Sequence, residues 1–211
     1  MATAYITHPE CLEHRTGDLH PESPERIRAI EDQLIATGIM PLLKPHDAPL
    51  ATRQQLLRVH AREYVRDLET GMPDSGFAML DPDTAVSRNS LRAALRAAGA
   101  GPFAVDLVMS GAADNAFCAV RPPGHHAESG RAMGFCLFNN IAVAAAHALA
   151  EHRLERVAIV DFDVHHGNGT EEIFVDEPRV LLCSSFQYPF YPGTPLREAP
   201  NIVNAPLSAG A

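Results

Sequence analysis

The chain has 211 residues, 46% of them hydrophobic and 20% charged, which is enough sequence to bury a substantial core. Seventeen basic residues stand against 26 acidic ones, for a net charge of −9, and Lys44 is the single lysine. That balance argues against a general nucleic-acid-binding surface and leaves room for a small basic partner. Cys11, Cys118, Cys136 and Cys183 form no CxxC pair, so reduced thiols in a cytoplasmic protein are expected. The N-terminus lacks a basic segment followed by a long apolar one, and no apolar run reaches membrane-spanning length.

In chain order, Ala4 to Thr7 reads as a first strand. His8 to Glu22 reads as a polar loop whose His8, His14 and His20 are solvated. Ser23-Pro24 opens a helix striped by Ile27, Ile30, Leu34 and Ile35 and closed by Gly38. From spacing alone, Arg26 and Arg28 are surface charges. Thr52 and Gln55 fit a capping box ahead of a helical region to Gly71, with His60 on its apolar stripe as a core or half-buried residue. Met72 to Pro82 reads as a loop with solvated Asp74, Asp81 and Asp83. Ser87 to Gly111 reads as two helices or one kinked helix, because Gly99, Gly101 and Pro102 interrupt it.

Asn115 to Val120 is a short strand running into Arg121-Pro122-Pro123-Gly124-His125-His126, a stiff turn that presents adjacent histidines. Asn139-Asn140 cap an Ala-rich helix to about His152, with His147 and His152 as surface positions. The central stretch is Val157 to Thr170, VAIVDFDVHHGNGT. Its apolar start reads as a buried parallel strand. If strand geometry persists, Asp161, Asp163 and His165 point the same way. Carboxylates and an imidazole at the carboxyl end of such a strand would be costly to bury unpartnered, and a divalent metal is the natural partner. Arg179 to Ser184 is the next strand, followed by an aromatic loop from Phe186 to Tyr191. The alternation of strands and helices predicts an α/β fold with a mostly parallel sheet covered on both faces, in one domain spanning residues 1–211.

RPPGHHA (121–127), GFCLFNN (134–140), DFDVHHGNGT (161–170) and FYPGT (190–194), with HPESPERI (20–27) and VHAREYV (59–65), resemble the zinc-dependent histone deacetylase superfamily. Pro122-Pro123 before the histidines and Asn168 after them resemble its class II branch, whose pattern bacterial amidohydrolases and acetylpolyamine deacetylases share. The resemblance implies an arginase-like α/β fold around an eight-stranded parallel sheet. It implies zinc held by Asp163 and His165, with Asp161 paired to His125 and Asn168 paired to His126 as catalytic groups. Asp161, Asp163 and Ser184 would serve a structural K+ site. Phe135 and Tyr191 would wall the substrate tunnel, and the Gly134 carbonyl would hold the substrate amide. Arg26 would stand in an acetate channel, and Asp81 or Asp83 on the rim.

The implied reaction is removal of acetyl or other acyl groups from a lysine peptide or protein, or from an acetylated polyamine, without direct nucleic-acid or membrane contact. Here His126, beside neutral Asn168, is expected to keep an ordinary pKa and act as general base. The family's third zinc ligand, a later aspartate, and its catalytic tyrosine have no counterpart, so the resemblance covers the N-terminal two-thirds of the family domain. Two other readings stay open. One is a catalytically incompetent homologue acting as a binding module; the other is an arginase-like binuclear hydrolase, which needs further ligands. An exposed parallel edge allows homo-oligomerisation.

Overall fold

A computed structural model describes residues 2–211. The strands form two three-stranded parallel sheets and one hairpin. The first sheet has β1 (Thr3–Thr7) between β2 (Leu43–Asp47) and β5 (Asn115–Cys118). The second has β7 (Val180–Gln187) between β6 (Val157–Asp161) and β8 (Ile202–Leu207). The expected mostly parallel sheet is thus present as two separate halves.

Strand alternation decides what each half covers. Ala4 and Ile6 of β1 pack with Ala100 of α4 (Ser90–Met109), while Tyr5, between them, turns to Ile27 of α1 (Glu25–Ala36). The first sheet therefore has helices on both faces. In the second, Ile159 and Leu182 join the main core with residues of α4 and α5 (Asn140–Glu151). The opposite face is open: Val160 is 68% and Phe162 is 86% exposed. The expectation of a strand buried on both faces fails there. Among the described residues, β6 pairs only with β7.

Local rules account for several element boundaries. Thr52 Oγ1 accepts from Gln55 N at 3.2 Å, and Gln55 Oε1 accepts from Thr52 N at 2.8 Å, closing the expected capping box on α2 (Arg53–Leu56). A separate helix, α3 (Arg62–Thr70), follows. The α1 start differs from expectation: Pro24 is the N-cap, Ser23 makes no side-chain cap, and Ile35 is exposed. The interrupted helix is in fact continuous, with Pro102 inside it. Gly99 is required by close approach, since a Cβ there would lie 2.1 Å from the Pro49 carbonyl oxygen.

Residues 72–82 are not all loop. β3 (Ala78–Asp81) and β4 (Thr84–Val86) form an antiparallel hairpin, with Asp81 ending the first strand and Asp83 in the turn. The histidines also differ from expectation. His14 is fully buried, with Nδ1 2.7 Å from Ser90 Oγ, and His147 is buried too. His60 is a core residue as expected: its Nδ1 lies 3.1 Å from the Glu128 carbonyl, and its Nε2 accepts from Asn139 N at 3.0 Å.

Candidate active site

β6 ends at Asp161, and the next residues are held by their own side chains. Asp161 Oδ1 accepts from Asp163 N at 3.1 Å, and Asp163 Oδ1 accepts from His165 N at 2.8 Å. This is the turn chemistry by which an aspartate bonds the backbone two residues on. The result splits the three residues expected on one face. Asp163 and His165 open onto a cavity of about 530 Å³, while Asp161 lies behind it against His125.

The paired histidines come from the turn after β5, held from several sides. Thr170 N donates to the His125 carbonyl at 3.1 Å. Asn139, the N-cap of α5, donates to the Ala127 carbonyl at 3.1 Å. Each ring is then fixed through Nδ1. His125 Nδ1 donates to Asp161 Oδ2 at 2.9 Å, and His126 Nδ1 donates to Asn168 Oδ1 at 2.9 Å. That leaves Nε2 of each ring for the cavity. Asn168, the first residue of α6 (Asn168–Phe174), is itself tied by an Nδ2 bond to Glu128 Oε1 at 2.9 Å. Gly134 is compelled: its φ is +56°, and a Cβ there would lie 2.3 Å from the His126 ring.

The two dyads differ electrostatically. Burial raises the Asp161 carboxyl, but the His125 hydrogen bond and charge outweigh it and hold the group below its ordinary range. His126 is pushed down from 6.5 to about 3, chiefly by burial and then by neighbouring His125; the Asn168 bond opposes this only in part. The expectation of an ordinary pKa for His126 is therefore corrected. A carboxamide offers no full charge to offset the loss of water.

Phe135 and Tyr191 both line the cavity with Gly134. Tyr191 stands edge-on to His126 at 5.0 Å between centroids and to His165 at 5.6 Å. Phe190, which the sequence reading passed over, stacks on His165 at 5.2 Å and 6°. Asp83 also lines the cavity and is not a free surface carboxylate: its Oδ1 accepts from Gly134 N at 3.0 Å and from Thr84 Oγ1 at 2.8 Å. Burial together with Asp83 pushes the Tyr191 hydroxyl well above its ordinary range.

At one side of the cavity, Arg26 reaches the Val120 carbonyl at 3.1 Å and Glu22 at 3.4 Å. Arg26 is an exposed residue, as its spacing suggested, and it also lines the cavity. Behind it lies an ion pair that sequence reasoning missed. Fully buried Arg121 meets both oxygens of Glu22, at 3.0 and 2.5 Å, and also donates to the carbonyls of Cys11 and His14. An arginine just before two prolines was the available signal.

The donors suit metal. Asp163 Oδ1 and His165 Nδ1 are 3.2 Å apart on the cavity wall, and carboxylate oxygen with imidazole nitrogen is a zinc donor set. Among the described residues, no third His, Cys, Asp or Glu completes a cluster with them. Ser184 sits opposite Asp161 in the β6–β7 register, and its buried Oγ has no hydrogen-bond partner. An orphaned hydroxyl beside a carboxylate is what a small monovalent cation would satisfy.

A cavity with two histidine dyads facing an Asp/His donor pair, at the carboxyl end of a parallel strand, defines an α/β site of the arginase/deacetylase architecture. Comparison gives the family. The histone deacetylase domain profile matches residues 20–211, and the chain belongs to that family. It is 42% identical over 82% of its length to a histone deacetylase-like amidohydrolase of Pseudomonas aeruginosa, covering 45% of that protein. It is 41% identical over 92% of its length to a probable deacetylase of Archaeoglobus fulgidus, covering 54% of that protein. The solved HDA15 HD domain superposes with a TM-score of 0.92 at 39% identity, over 99% of this chain and 63% of the other. The chain thus spans roughly half to two-thirds of the length of these relatives. No described helix is long and apolar enough to cross a membrane.

Proposed function

We propose that the chain carries the acyl-amide hydrolysis site of a zinc-dependent deacetylase, acting on acetylated lysine side chains or acetylated polyamines. The observation that carries this reading is the convergence of His125, His126, Asp163 and His165 on one cavity. A human relative, 38% identical over 89% of this chain, is named a polyamine deacetylase, which supports the amine class without choosing within it. Asp163 and His165 would hold zinc, which when bound supplies Lewis acidity and lowers the pKa of water. A potassium-sized cation would sit among Asp161, Asp163 and Ser184.

The remaining chemistry belongs to the side chains. His126, unprotonated at neutral pH, accepts a proton at Nε2 and returns it to the departing amine. Its low proton affinity at rest means that negative charge growing beside it during reaction must raise its pKa. His125, backed by the Asp161 carboxylate, stabilises that charge. Phe135 and Tyr191 flank an acyl chain whose neutral amide suits an apolar channel better than a free ammonium does. Gly134 offers its carbonyl to the substrate amide, Asp83 sits at the rim, and Arg26 attracts the released carboxylate.

The test is acetate release from an acetyl-lysine peptide by the zinc-supplemented chain, beside the His126→Gln variant. Turnover lost on chelation and in the variant, with zinc still bound by the latter, supports the enzyme. A folded chain that takes up zinc but releases no acetate from peptide or acetylpolyamine favours a non-catalytic binding module.

A further inference from the structure

A second group of metal-type donors lies outside the cavity. Asp106 of α4 faces His147 of α5 and His152 at its C-cap. Asp106 Oδ1 is 2.8 Å from His147 Nε2 and 2.7 Å from His152 Nε2, and the three ligand atoms lie within 4.8 Å of one another. They line a cleft of about 420 Å³ that also holds Arg58, Glu151 and Gln54. His147 is buried, so its geometry is set by the α4–α5 packing rather than by solvent; His152 is only partly exposed.

We propose that Asp106, His147 and His152 form a binding site for a zinc-class divalent cation that clamps α5 to α4. Two imidazole nitrogens and a carboxylate on one side of a cleft leave a coordination position open to water. The existing hydrogen bonds already bring all three donor atoms together. Burial works against the Asp106 carboxylate, but the two histidine bonds outweigh it and keep the group ionised.

Arg58 sets the terms. Its guanidinium donates to His147 Nδ1 at 3.2 Å and also contacts Glu151. With Nδ1 accepting, the ring proton sits on Nε2, where it meets Asp106. A cation on Nε2 moves that proton to Nδ1, which then faces a donor. Binding therefore requires Arg58 to withdraw onto Glu151, and Arg58 acts as a competitor for the site.

The test is zinc titration calorimetry on the Asp163→Asn/His165→Gln chain, from which the donors of the deacetylase cavity have been removed. One equivalent is expected to bind. Adding His152→Gln should weaken it about tenfold or more, and adding Arg58→Gln should tighten it. In the unsubstituted chain, zinc should also move the side-chain nitrogen resonances of His147 and His152. That readout stands even where a variant folds poorly. Zinc uptake indifferent to His152→Gln, or His147 and His152 resonances that do not move, overturns the proposal. Because these donors are distinct from Asp163 and His165, either site can fail without the other.

Discussion

His126 Nδ1 lies 2.9 Å from the Asn168 side-chain oxygen, whereas its neighbour His125 meets the Asp161 carboxylate at the same distance. Two adjacent imidazoles thus have partners that differ by one full charge, and His126, the one with the neutral partner, is pushed down to about 3. Replacing Asn168 with Asp tests the cause. In the metal-free Asn168→Asp chain, the His126 pKa should rise by roughly one to three units, read from its ring resonances against pH. An unchanged value would show that the partner at Nδ1 does not set it.

The buried Arg121–Glu22 pair ties the histidine turn to the segment ahead of α1. Arg121→Met would leave the buried Glu22 carboxylate with only the longer Arg26 contact, and the carbonyls of Cys11 and His14 without the Arg121 donor. The expected loss is about 3 to 5 kcal/mol in urea unfolding. Arg121→Met with Glu22→Leu should recover a good part of it. A single variant as stable as the parent would mean that the pair is not closed in solution.

Acid stability follows from buried neutral histidines. Burial pushes His14 and His60 from 6.5 down to about 4. Between those values the unfolded chain binds more protons than the folded one. The stability they contribute is therefore complete above pH 6.5 and lost as pH falls towards 4. Each contributes on the order of 3 kcal/mol. Urea midpoints measured at successive pH values should fall steeply through this window, and less steeply in His60→Gln. A flat profile from pH 6.5 to 4.5 would contradict the assignment.

What the sequence made legible was mostly local. The Thr52–Gln55 box, the Asn139 cap and the run from Asp161 to Asn168 each declare themselves within a few residues. His60 on its apolar stripe was also readable as a core position. What stayed hidden depends on partners far along the chain. His14 is buried because Ser90, 76 residues away, receives it, and His147 because Asp106, 41 residues back, does. No spacing rule brings such pairs together. The β3–β4 hairpin was lost to its Asp-Pro-Asp turn, which reads as loop when the flanking strands are only four and three residues long. The open outer face of β6 was equally invisible, since an apolar strand carries no mark of which side is covered.

The central claim is that Asp163 and His165 grip a divalent ion opposite His125 and His126. A crystal of the zinc-supplemented chain, measured across the zinc absorption edge, addresses it directly. The account predicts an anomalous peak about 2.0–2.2 Å from Asp163 Oδ1 and His165 Nδ1. Zinc bound elsewhere in the chain with that position empty would contradict it.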